Sequence, residues 1–436
     1  MPGRRSAWAV TTITAAVAAV GAGAFVVAHA GDASQPAASP ADPAPRAVVR
    51  EAAGPVIWHA WRRNGSVVFA TRSPDAVWVA GDGTPRRISQ FAPTYCLPAL
   101  SSGDGVVAFS LGSAVGFFDL DTEAFMRVET AGPALSLAWR PGYRQLAYTV
   151  GNAIYVLAAD ASEHRLLRRV TRFRSDWWER WAPCLRVDGL RWSGNGRAVG
   201  YVAWAAFEEE KDRWFLSPRV VLLDVGSQRV VESMDGYCKG DDVFAISPDG
   251  GHHTIGGDWG DDNPSVLIDR QRVADTGICG GWPHTCWSPD GSVVVWECWT
   301  HVSPQGYRRS LHSFEGVPGT RPNPAPDGWP EFEWSPDGQA FVYHYREYKE
   351  TAEPELAVSE VRLVRASDVT KCRAVRADGG RSWVRTWLFE WDSVPYYVLA
   401  REFKGADLAW SPDGKTVSWA EGRQIWAVTV GASAAP

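Results

Sequence analysis

Two stretches of the chain gather tryptophan, arginine and carboxylate side chains densely enough to suggest recognition chemistry: Arg172-Phe-Arg-Ser-Asp-Trp-Trp-Glu-Arg-Trp181 and Trp383-Val-Arg-Thr-Trp-Leu-Phe-Glu-Trp391. Tryptophan beside arginine is the composition enriched at the centres of binding interfaces, where a large rigid ring and a planar cation bury area at low entropic cost. Arg172, Arg174, Trp177, Trp178 and Trp181 are therefore the candidate ligand-binding residues. A small aromatic core under a long loop is the competing reading for the first stretch. For the second, an extra hairpin formed by Trp383 to Asp392 and Pro395 to Glu402 is preferred.

Bond-breaking chemistry has less to work with. The chain contains neither a Gly-x-Ser-x-Gly elbow nor a His-Glu-x-x-His pair, so no catalytic residue is assigned and neither a cofactor nor a metal is expected. Asp258-Trp-Gly-Asp-Asp-Asn263 has oxygen ligands that would suit a hard cation, but its spacing fits a solvated connection better. His252 and His253 follow a turn and read as surface residues, and Glu208 to Arg213 reads as a solvated hairpin tip. Asp176, Glu179 and Asp392 are candidates for cleaving a glycan by location alone, because no acid and base at a defined separation can be argued.

Seven cysteines fit an oxidising compartment. Cys184, Cys238 and Cys279 each stand twelve residues before the glycine closing the motif described next, and Cys96 stands nine before its own. Equivalent sites on neighbouring units are candidates for bridging, with Cys238 to Cys279 first. The odd number leaves at least one thiol free or paired with another chain.

The elements that must position these residues come from a repeat. Trp-Ser-Pro-Asp-Gly followed by alternating apolar residues stands at Trp287 to Gly291, Trp334 to Gly338 and Trp410 to Gly414. Weaker copies are Trp61-Arg-Arg-Asn-Gly65, Leu100-Ser-Ser-Gly-Asp-Gly105, Trp139-Arg-Pro-Gly-Tyr143, Trp192-Ser-Gly-Asn-Gly196 and Ile246-Ser-Pro-Asp-Gly250. Proline presets a type I turn and glycine can take the left-handed conformation that closes a hairpin. A third apolar run and a short polar run follow most copies, which makes four strands per unit. Such a unit cannot bury both faces of its sheet alone, so the units must stack in a closed array.

The expected fold is all-β: a β-propeller of eight four-stranded blades over residues 46–436, or seven if the Leu100 copy is not a true repeat. The last copy ends too soon to build a fourth strand after Ile425-Trp-Ala-Val-Thr-Val430. Arg46-Ala-Val-Val-Arg-Glu51 resembles Arg373-Ala-Val-Arg-Ala377, read as the end of the seventh unit, and would close the ring. Removing residues 46–56 should then destabilise the whole fold. Of the 24 tryptophans, those at the repeat position and on strands, such as Trp78, Trp296, Trp419 and Trp426, should pack between blades, and Trp282 and Trp329 recur within Gly-Trp-Pro as further architecture.

The motif resembles the TolB-type, WD40-like (PD40) β-propeller repeat of bacterial envelope proteins. That resemblance implies a propeller that binds another protein or a peptide, or that accompanies a separate catalytic domain; the chain departs from the peptidase members in showing no such domain. Residues 1–30 read as a signal peptide or an uncleaved signal anchor, since Arg4 and Arg5 precede an uncharged run from Ser6 to Ala28 and Ala28-His-Ala30 is a cleavage pattern. Residues 31–45, rich in Ala and Pro, read as a tether. The expected location is extracytoplasmic, secreted or held at the membrane by the N-terminal segment. A net charge of −6 without a large basic cluster argues against nucleic acid. The leading expectation is an exported, non-catalytic module for an envelope protein or peptide. Glycan binding or cleavage and a membrane-anchored sensor ectodomain are the alternatives.

Overall fold

The Ser-Pro-Asp-Gly turn is the local unit from which the structure is built. In the computed structural model the Gly414 amide donates to the Ser411 carbonyl at 2.9 Å, and Gly338 and Gly291 repeat the bond to Ser335 and Ser288. The serine hydroxyl donates to the aspartate carboxylate at 2.6 Å in all three turns. It also accepts the amide five residues on, from Ala340 to Ser335 and from Thr416 to Ser411. Gly414 sits at φ +70°, a region that costs any residue with a Cβ. The aspartate is thus a turn acceptor, as the sequence pattern indicates.

The structure describes residues 44–81, 84–89, 96–101, 103, 105–175, 179–210, 213–235, 244–250, 252–258, 264–268, 271–275, 284–291, 293–297, 333–349, 355–366, 372–377, 382–387, 397–401 and 406–430. Their strands form eight sheets. The first holds Val56–Trp61, Val67–Thr71, Ala76–Ala80 and Arg86–Arg87; the second Ala99–Leu100, Val106–Ser110, Ala114–Asp119 and Phe125–Glu129; the third Leu137–Trp139, Gln145–Val150, Ala153–Ala158 and His164–Arg169. The fourth has five strands: Arg172–Arg174, Trp181–Trp192, Ala198–Glu210, Arg213–Asp224 and Val230–Asp235. The fifth holds Phe244–Ile246, His253–Asp258, Pro264–Ile268 and Gln271–Asp275. The sixth begins with His284–Trp287 and Val293–Glu297, the seventh with Glu333–Trp334, Ala340–Lys349 and Glu355–Arg365, and the eighth with Ala406–Trp410, Thr416–Glu421 and Gln424–Thr429.

Ring closure takes the expected form. Arg46–Val49 pairs antiparallel with Gln424–Thr429, so the N-terminal segment supplies the eighth sheet's fourth strand. Buried side chains fill the seams where both sheets are described in detail: Val68 and Val77 against Val107 and Phe109, Val361 and Leu363 against Val417 and Trp419, Val49 and Ile425 against Val67 and Phe69. The first strands of neighbouring sheets, Trp181–Trp192 taking that place in the fourth, lie side by side from the second sheet round to the eighth and on to the first, forming the inner wall of a β-propeller.

Trp139, Trp192 and Trp410 follow one rule around this wall. Trp139 donates its indole N–H to the Ala99 carbonyl at 2.8 Å, Trp192 to Ala138 at 3.0 Å and Trp410 to Glu333 at 2.9 Å. In each case the acceptor is the residue just before the equivalent position of the preceding sheet. A buried indole needs such a partner, and the rule makes one side chain serve both packing and inter-blade bonding.

Two expectations fail at the seventh repeat. Cys372–Ala377 is not its outer strand: it pairs with Ser382–Trp387, which runs parallel to Val293–Glu297 in the sixth sheet. Tyr397–Arg401 in turn is no part of an extra hairpin but the fourth strand of the seventh sheet, against Glu355–Arg365. Alternation marks a segment as a strand without naming its neighbour, and here the neighbour is distant in sequence. The fourth sheet's fifth strand, Arg172–Arg174, is likewise an addition to the four-stranded plan.

Candidate functional site

Three places concentrate polar or aromatic function: the seam between the eighth and first sheets, the inner wall, and the upper end of the fourth sheet. At the seam, His59 Nδ1 lies 2.6 Å from Asp407 Oδ2 and Nε2 lies 2.7 Å from Ser418 Oγ. Asp407 also accepts the His59 amide at 2.5 Å. Its position depends on a bulge: Ala406 pairs with Ala420 but Ala409 with Ser418, and Asp407 stands at φ +62°. Aspartate tolerates that conformation better than most side chains.

The order Ser418–His59–Asp407 is that of a nucleophilic triad, and it has no counterpart among the sequence motifs because 348 residues separate His59 from Asp407. Its surroundings assign it a different task. Ser418 is 0% exposed and accepts the Trp61 indole N–H at 2.7 Å, so no substrate can reach the hydroxyl. Ser418 Oγ also lies 3.3 Å from the Ala409 carbonyl, the residue before Trp410. Trp61 therefore obeys the tryptophan rule through an inserted hydroxyl, and the relay Trp61–Ser418–His59–Asp407 locks the last sheet to the first.

On the inner wall, burial pushes the Glu333 carboxyl up to about 7; the negative charge of Asp407 adds to the shift and Arg191 opposes it. Three sheets thus bring charged groups toward one space. A carboxyl whose folded pKa exceeds its unfolded value near 4.5 keeps its proton after the unfolded chain has lost it. Its contribution is full below about pH 4.5 and is lost as pH rises through about 7, at most about 3 kcal/mol. The melting temperature of the wild type should fall across that window and the fall should shrink in Glu333→Gln. Identical pH profiles for the two proteins would remove Glu333 as the cause.

The fourth sheet differs from the others in length. Its three central strands have 12, 13 and 12 residues, against 5 or 6 in sheets such as the first and third. At about 3.3 Å per residue the excess is roughly 20 Å. Because strands alternate in direction, the Ala198–Glu210 to Arg213–Asp224 hairpin extends from the end opposite the Ser-Pro-Asp-Gly turns. The seventh sheet's hairpin, of 10 and 11 residues, extends from that end too.

Arg172–Arg174 pairs along the extended part of Trp181–Trp192, with Arg174 opposite Trp181 and Phe173 opposite Ala182. Alternation then divides the side chains. Phe173, Ala182, Cys184 and Phe207 join the core, while Arg172, Arg174, Trp181, Pro183 and Leu185 point to solvent. Trp181 is 60% exposed and Leu185 53%, and the Arg172 guanidinium lies 5.0 Å from the Trp181 ring centre. Phe173 thus serves the core, while the two arginines and Trp181 lie at the surface.

Trp177, Trp178, Asp176 and Asp392 lie outside the described residues, as do Cys238 and Cys279 and residues 1–43; Glu179 is exposed. Cys96 and Cys184 are free thiols, and burial pushes the Cys184 thiol up to about 11 and Cys96 to about 12, which makes both poor nucleophiles. The histidine pair departs from its surface reading: His253 is buried and His252 stacks on Trp287, ring centres 5.9 Å apart. Among the described residues no cluster of three potential metal ligands forms.

No protein-family model matches the chain, and neither does any curated protein. Among solved structures the chain is similar to one in "Crystal Structure of Mitotic Checkpoint Complex", at 14% identity over 92% of this chain and 96% of that chain, with a TM-score of 0.43.

Proposed function

We propose that the chain is an exported, TolB-like (PD40) β-propeller of the cell envelope that acts without catalysis as a docking module for a protein partner, through the extended end of its fourth sheet. The observation that carries this reading is the stripe Trp181–Pro183–Leu185, three alternate residues of one strand turned to solvent and edged by Arg172 and Arg174. A strand that buries one face and leaves an aromatic, a proline and a leucine on the other has the anchor-plus-basic-rim composition of an interface centre. The export signal read from residues 1–30 and the Trp-Ser-Pro-Asp-Gly motif support the envelope assignment.

The test is capture from envelope extract by the wild type and by the double variant Trp181→Ala/Leu185→Ser. The variant should lose at least tenfold in capture of a defined protein, while its Tm stays within about 2 °C because both side chains are more than half exposed in the folded state. Undiminished capture would move the interface elsewhere, and a large fall in Tm would assign the stripe to packing.

A further inference from the structure

A cleft opens where the third sheet's outermost strand gives way to the fourth sheet. Arg168, Arg169, Arg172 and Arg219 wall it, over a floor that includes Val170 and Phe173. Several arginines elsewhere on the surface meet carboxylates, Arg86 with Glu123 at 2.9 Å, Arg127 with Glu129 at 2.7 Å, Arg165 with Glu163 at 2.5 Å and Arg186 with Asp188 at 3.1 Å, while Arg87 and Arg140 bond to carbonyl and amide oxygens. Three of the cleft arginines have no ion pair with a carboxylate among the described residues. Among the described residues Arg168 has the Gln228 carbonyl at 3.5 Å, Arg169 the Asn152 side-chain oxygen at 3.5 Å, and Arg172 the Trp181 ring. Arg219 donates to the Arg174 carbonyl and lies over the Phe173 ring. In a chain of net charge −6, arginines that converge without counter-charge mark a place where an anion would be attracted.

The surroundings narrow the kind of anion. Leu166, beside the cleft, and Val230 and Val231, on the fourth sheet's outermost strand, are 40–60% exposed. The strands that carry them, His164–Arg169 and Val230–Asp235, end their sheets, so each offers main-chain donors and acceptors along one edge. Guanidinium groups alone would serve a sulfated polysaccharide equally well. Apolar side chains and strand edges beside them suit a polypeptide.

We propose that the cleft takes an extended acidic segment of the protein partner, its carboxylates on Arg168, Arg169 and Arg172 and its small apolar side chains over Val170 and Val230. The assignment rests on the protein-docking reading above and specifies the partner's chemistry, with Arg172 linking the cleft to the Trp181 stripe.

A labelled dodecapeptide of alternating Glu and Val is the probe, titrated into the full chain by fluorescence anisotropy, with a Lys-Val dodecapeptide and a sulfated oligosaccharide of similar length as competitors. The acidic peptide should bind, weaken at least tenfold in Arg168→Gln/Arg169→Gln, and weaken steeply as salt rises from about 0.05 to 0.5 M, where the Debye length shrinks to a few ångströms. Arg168→Lys/Arg169→Lys, which retains both charges, should stay within about threefold of the wild type. Equal binding by the glutamine variant, equal competition by the basic peptide, or tighter binding of the sulfated oligosaccharide would each overturn the proposal. Loss of partner capture in Trp181→Ala/Leu185→Ser, alongside a peptide that never binds, would overturn the acidic cleft and leave the docking function standing.

Discussion

A chain that begins at Pro55 is expected to lose on the order of 5 kcal/mol of stability and to melt about 6 °C lower than the full chain, because its ring cannot close. Three kinds of contact disappear together. Val49 and Ala52, each 1% exposed, leave the seam core that they share with Val67, Phe69 and Ile425. The register pairs Arg46 with Ala427, Ala47 with Trp426 and Val49 with Ile425 are lost, as are the bonds from the Ala52 amide to the Arg423 carbonyl and from Arg423 back to the Ala52 carbonyl. Finally, Gln424–Thr429 becomes an open edge, a template for pairing with other chains. The Arg423–Glu51 ion pair at 3.3 Å is solvent-exposed and adds little. Calorimetry of the truncated chain measures the first effect and light scattering the second. Val49→Asp, which puts a charge where no polar partner is available, should cost several kcal/mol without shortening the chain. If the truncated chain melts where the full chain does, the N-terminal strand is not what closes the ring.

This closure was legible because it depends on local signals: a last repeat that stops short and an early segment with the right alternation. The Ser-Pro-Asp-Gly turns were legible for the same reason, since serine, proline, aspartate and glycine each contribute to one turn through bonds spanning five residues or fewer. The sixth and seventh sheets show the limit. Ser382–Trp387 has a strand's alternation, but its parallel pairing through Val293 with Arg385 spans a separation over which sequence period carries no information about partners. At the fourth sheet composition singled out the stretch 172–181, of which Arg172, Arg174 and Trp181 are exposed. Which residues turn outward follows only from the register of Arg174 with Trp181, and the cleft beside them follows from how two sheets meet. Glu333 gave no signal at all, being one carboxylate ahead of a repeat tryptophan whose environment is made by residues from other sheets.

The seam relay carries the second large expectation. Ser418→Ala removes the acceptor of the Trp61 indole and the partner of His59 Nε2 in one step, leaving two buried polar atoms without their bonds. At about 1–3 kcal/mol for each orphaned group, the loss should reach about 3 kcal/mol. Ser411→Ala, at the Ser-Pro-Asp-Gly turn of the same sheet, gives up bonds to Asp413 and Thr416 near solvent that can replace them, so about 1 kcal/mol is expected there. The contrast between the two serines separates a bond between sheets from bonds within one turn. Asp407→Ala should behave as the seam does, since it removes the single carboxylate oxygen, Oδ2, that lies 2.5 Å from the His59 amide nitrogen and 2.6 Å from its ring nitrogen. Equal melting temperatures for Ser418→Ala and the wild type would show that the Trp61–Ser418–His59–Asp407 relay does not hold the ring shut, and the reason for burying a serine and a histidine beside a half-buried aspartate, in hydrogen-bonding sequence, would then have to be sought in chemistry after all.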